Sequence, residues 1–179
     1  MDCPWNCPYL QEARKHERSA PVNPDEFPNR DIRVSEDFLR DHEPLLVATA
    51  RGLLTAAIET AGAVDSDVRE ALDALIRTYR TLESGVYYET QPANALANQI
   101  RRFTEKALED YRRQENEGLG MRHTRDSEVL TTLVFLQRLE LDRHNDRPRG
   151  KAFLDFLRSF FGAEDDARAV AGTSSLILP

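Results

Sequence analysis

A chain of 179 residues, 40% hydrophobic and 31% charged with only 8 glycines, has the length of one domain and the composition of a folded one. Its net charge of −7 argues against a general nucleic-acid binder, which needs excess cations to displace counterions from phosphate. It argues equally against simple electrostatic attachment to an anionic membrane.

Met1 to Leu10 carries neither the cationic start nor the apolar run of a secretory signal. No stretch approaches the roughly eighteen apolar residues of a membrane span. The densest, Leu45 to Ala61, is broken by Thr49, Arg51, Thr55 and Glu59. Two cysteines without an export signal predict a cytoplasmic protein with reduced thiols.

Residues 1–34 hold Pro4, Pro8, Pro21, Pro24 and Pro28, which remove amide donors and turn the preceding residues away from helix. The segment reads as an extended arm with one helical turn around Leu10–Glu17. Trp5, Tyr9, Leu10 and Phe27 give it apolar groups to lay against a bundle.

The first helix is predicted over Asp41–Ala61, after a turn at Ser35–Arg40, with Asp41 as N-cap, Pro44 in the first turn and Gly62 as stop. Two rows, Leu46, Ala50, Leu53, Ala57 and Val47, Leu54, Ile58, Ala61, make a wide apolar stripe at helical period.

A second helix starts at Asp65 or Ser66. Val68, Leu72, Leu75, Tyr79, Leu82 and Val86 recur at alternating steps of four and three, an uninterrupted seam. Gly85 ends this helix and leaves Val86, Tyr87 and Tyr88 as a packed connector.

The third helix begins near Pro92, with Leu96, Ile100, Phe103, Ala107 and Tyr111 inward. Arg101, Arg102, Arg112, Arg113 and Glu115 lie on its charged outer face, and Gly118 and Gly120 open a loop. The fourth, capped by Asp126 or Ser127, holds Val129, Leu130, Leu133, Val134, Phe135, Leu136, Leu139 and Leu141. Apolar nearly all round, it is either central or in a homodimer interface.

The fifth follows Pro148 and runs to Phe161, with Phe153, Phe156, Leu157 and Phe160 on one face and Gly162 as stop. No segment alternates apolar and polar at period two. The sequence therefore predicts an all-α fold: an up-and-down bundle of about five helices over 35–162. An irregular Pro-rich arm (1–34) precedes it and a short apolar tail (163–179) follows.

Enzyme signatures are largely absent: no Gly-rich phosphate loop, no nucleophile elbow and no Glu-x-x-His pair for a two-metal bundle. Glu12 with His16, and Glu140 with His144, are four apart. On a helix each reads first as a solvated ion pair.

Cys3 and Cys7 form half of a zinc site, with His16 as a third ligand and no evident fourth. The same pair is spaced to close reversibly into a disulfide, or simply to pack. No cofactor is predicted, with zinc at these residues as the alternative.

Arg143, Arg147, Arg149 and Lys151 crowd the turn into the last helix against Asp146. A helix start favours negative charge, so cations there call for an anion. One resolution is a phosphate or carboxylate held by free backbone amides and arginines. The other is pairing with the chain's own surface carboxylates, such as those after Gly162. The tail Leu176-Ile177-Leu178-Pro179 either packs back or enters a partner's groove.

The leading functional expectation is a non-enzymatic helical interaction or regulatory module that acts by protein contact, as a homo-oligomer. The second is a binder of a small anion at 143–151. The third is a thiol redox or metal-binding protein using Cys3 and Cys7.

Overall fold

The computed structural model describes residues 27–118 and 123–173. The predicted turn at 10–17, the site residues Cys3, Cys7 and His16, Gly120 and the apolar end of the tail lie outside the described residues.

Among the described residues there are six helices: α1 (Glu36–Asp41), α2 (Glu43–Glu59), α3 (Asp65–Glu83), α4 (Ala95–Gly118), α5 (Asp126–Arg143) and α6 (Ala152–Thr173). Among the described residues there is no strand, and the fold is all-α. None of the described helices is long and apolar enough to cross a membrane.

The helix starts differ from expectation in an instructive way. Ser35 caps α1, its Oγ accepting the Phe38 N–H at 3.1 Å. Asp41 closes α1 instead of opening α2, and His42 occupies the junction, with Pro44 in the first turn of α2. Asp65 and Asp126 are first residues of their helices, not caps. The carboxylates of Asp67 and Glu128, three residues after the caps, take the Val64 and Arg125 N–H groups at 2.9 Å each. Asp65 and Asp126 are thereby released for partners elsewhere.

The core joins Leu53, Leu72, Leu75, Ile100, Leu133, Phe153 and Leu154, all fully buried. The α3 seam is buried from Val68 to Tyr79, half-buried at Leu82 and open at Val86. That last residue lies beyond Gly85, whose φ of 78° turns the chain away. Helix α5 packs on α3 and also touches α2 and α6, as its all-round apolarity predicts.

Two faces are rotated from their predicted registers. Over residues 152–162 of α6 the buried side chains are Phe153, Leu157 and Phe161, a repeat of four, with Leu154 beside Phe153, while Phe160 is 49% exposed. The helix also continues through Gly162, which does not stop it, to Thr173. In α4 the buried stripe is Ala97, Ile100, Arg101, Thr104 and Leu108, and Phe103 lies open. Gly52 of α2 explains the closeness of this contact: a Cβ there would sit 2.6 Å from that of Ala107.

The up-and-down alternation is broken once. Asn94, before α4, donates to Asp67 near the start of α3 at 2.6 Å, and Arg112 lies over the Tyr79 ring at 5.8 Å near their other ends. Helices α3 and α4 therefore run parallel, and residues 84–94 return alongside α3 to make that possible.

Residues 27–34 also belong to the packed body. Ile32 and Val34 lie on the core, and Asn29 binds Arg80 and Gln137 through its side chain. Asn29 has φ 57°, a left-handed conformation that asparagine tolerates better than most residues.

Candidate functional site

Three places on this scaffold concentrate chemistry. The first is the basic turn before α6. Asp65, 4% exposed, receives the N–H of Phe153 on Oδ2 at 3.0 Å and that of Leu154 on Oδ1 at 3.2 Å. Its own N–H donates to the Gly150 carbonyl at 2.9 Å. The carboxylate that the first turn of α6 calls for thus comes from the chain itself. Burial pushes the Asp65 carboxyl up to about 6, with the Glu140 charge adding to the rise and the two amides opposing it.

Around this clasp the predicted anion ligands meet different surroundings. The Arg143 guanidinium stacks over the Phe156 ring at 4.6 Å, and its Nε is 3.2 Å from Asp142. Arg147 and Lys151 have partners within the chain, and Arg149 is exposed. Glu140 does not pair with His144. Fully buried, it accepts a forked contact from Arg69 at 2.8 and 2.9 Å, while His144 Nε2 meets Asp146 at 2.7 Å. The turn is tight: a side chain on Gly150 would strike Asn145.

The second place is the return segment 84–94. Val86 N–H donates to the Thr81 carbonyl at 2.9 Å, and Thr90 N–H to Thr78 Oγ1 at 2.9 Å. Arg101, only 1% exposed, fixes the segment from α4: it donates to Glu89 at 2.5 Å, Glu105 at 2.9 Å and Asn98 at 3.1 Å. A guanidinium taken out of water needs such a full set of acceptors. The expected packed connector is instead open. Val86, Tyr87 and Tyr88 are 59%, 70% and 65% exposed.

The third place is a cleft of about 250 Å³ lined by Asp41, His42, Pro44, Leu45, Tyr111, Glu115 and Thr124. The α1–α2 junction forms one wall, the last turns of α4 another, and the approach to α5 a third. His42 stacks on Phe38 with ring centroids 4.2 Å apart. Its Nδ1 is 2.9 Å from the Phe38 carbonyl, and its Nε2 3.3 Å from Glu128. Glu115 Oε2 accepts from Thr124 Oγ1 at 2.6 Å and from the Thr124 N–H at 3.1 Å.

Asp41, Pro44, Tyr111 and Glu115 are legible in the sequence as cap, turn or helix-face residues but not as one site, because the cleft residues come from segments far apart in the chain. The buried role of Arg101 had a readable trace. Asn98 and Glu105 stand three before and four after it, on the same helix face. Among the described residues no group of three or more His, Cys, Asp or Glu side chains is placed to hold a metal ion. No family model, curated protein or solved structure significantly matches the chain.

Proposed function

We propose that the protein is a helical interaction or regulatory module acting by protein contact, with Val86, Tyr87 and Tyr88 as its contact face. The observation that carries this reading is the pairing of exposure with order. Three successive large side chains point to water from a segment held by Thr78, Thr81 and Arg101. A face already fixed in place loses little conformational freedom on binding. Tyrosine supplies large contact area with few rotatable bonds and is enriched among the residues that dominate interfaces.

The partner to test first is a second copy of the chain. Sedimentation should give a mass above the 20.4 kDa of one chain at micromolar concentration, and Tyr87→Ala with Tyr88→Ala should return it to monomer. A monomer at every concentration would remove self-association from the reading. The alternative, a small anion at 143–151, would rest on side chains, because the Phe153 and Leu154 amides already serve Asp65. The thiol or zinc reading rests on Cys3, Cys7 and His16, and is tested by metal content and thiol titration.

A further inference from the structure

The cleft between the α1–α2 junction and the end of α4 has a composition that selects its occupant. Its wall is mostly carbon, with Pro44, Leu45 and Tyr111 in the lining, and two carboxylates, Asp41 and Glu115, stand beside them. The nearby cation of α4, Arg112, is committed elsewhere: it pairs with Asp126 at 2.7 Å and lies over the Tyr79 ring. The two nitrogens of His42 face acceptors of the chain itself, the Phe38 carbonyl and Glu128. Among the described residues no cation lines the cleft to balance the two acids except that engaged imidazole.

Backbone electrostatics act in the same direction. Glu115 lies in the last turn of α4, which ends at Gly118, and the carbonyl end of a helix favours positive charge. The opposite wall is the start of α2, which would favour an anion. Glu43 in its first turn and Asp41 beside it already supply negative charge there.

We infer that this cleft binds a small organic ammonium, with its charged head on Glu115 and its apolar body against Pro44, Leu45 and Tyr111. Glu115 commits Oε2 to Thr124, which fixes the carboxylate and presents Oε1 as the acceptor for the head group. Size sets the body. An apolar cavity of about 150 Å³ holds a benzene ring, so 250 Å³ holds about ten non-hydrogen atoms. An arylalkylamine has this form; an acid, a phosphate or a sugar does not. This site is separate from the Val86–Tyr88 face, and its test does not depend on that reading.

The experiment uses the full chain, 2-phenylethylamine as ligand and the neutral 2-phenylethanol as its match in shape. The amine should raise the melting temperature saturably at millimolar concentration and shift the NMR signals of the Leu45 methyls and the Thr124 amide. The alcohol should bind at least about ten-fold more weakly, the loss expected for one charge-assisted hydrogen bond. Glu115→Gln keeps an oxygen for Thr124, so it should stay folded and lose the preference for amine over alcohol. Asp41→Asn, at an exposed position, should weaken the amine by a smaller factor. Three results overturn the inference: no saturable shift with the amine, equal binding of amine and alcohol by the native chain, or unchanged amine affinity in Glu115→Gln.

Discussion

The carboxylate of Asp65 accepts the backbone N–H of Phe153, 88 positions later, and that of Leu154 beside it. One side chain at the start of α3 thus does for α6 what a cap residue of α6 would otherwise do. It ties the last helix to the bundle and answers, from within, the demand for negative charge at the basic turn.

This clasp has a pH signature. The folded-state carboxyl is raised to about 6 from 3.8, so between those values the folded chain binds more protons than the unfolded one. The stability this group contributes is present below pH 4 and is lost as pH rises through 6, by at most about 3 kcal/mol. Asp31, whose carboxyl is held low by Arg80, works in the opposite sense, losing stability as pH falls. The informative quantity is therefore a difference. Urea unfolding from pH 4 to 7 should show a downward slope in the native chain relative to Asp65→Asn; parallel curves would contradict this account.

Gly52→Ala should destabilise the fold although alanine is the better helix former by about 1 kcal/mol. The added Cβ would lie 2.6 Å from the Ala107 Cβ, and neither group is a flexible side-chain end that can swing away. Separation of α2 and α4 should outweigh the propensity gain, with a net loss of about 1–3 kcal/mol in chemical denaturation. A stabilised variant would mean that the two helices part at little cost.

Arg101→Lys retains the charge but not the planar fork that reaches Glu89, Glu105 and Asn98 together. The expected loss is about 1–3 kcal/mol, from buried acceptors left short of donors. The return segment should loosen first. Hydrogen exchange at the Thr90 N–H, which donates to Thr78, should speed up before that of the α3 core amides.

Arg147→Ala with Arg149→Ala tests the two readings of the basic turn. Both arginines are exposed, so on the protein-contact reading the double variant should lie within about 0.5 kcal/mol of the native chain. Phosphate should then leave the melting temperature unchanged in both. A phosphate-induced rise that the double variant loses would favour the small-anion alternative, since a ligand selective for the folded state stabilises it by mass action.

Helical period, proline and glycine placement were sufficient to read the all-α class and the existence of the long helices from sequence. The α3 seam is the clearest case: Val68, Leu72, Leu75 and Tyr79 are buried in the order their spacing implies. These are local properties, set by backbone geometry within a few residues, and so are written in neighbouring positions. What only the tertiary structure decided are the long-range choices. Asp65 serves a helix 88 residues away, Arg101 turns inward to meet Glu89 across the return segment, and Phe161 rather than Phe160 faces the core. Each depends on how close one helix comes to another and at what rotation. The Gly52–Ala107 approach and the parallel course of α3 and α4 set those quantities, and no periodicity within one helix encodes the position of its neighbour.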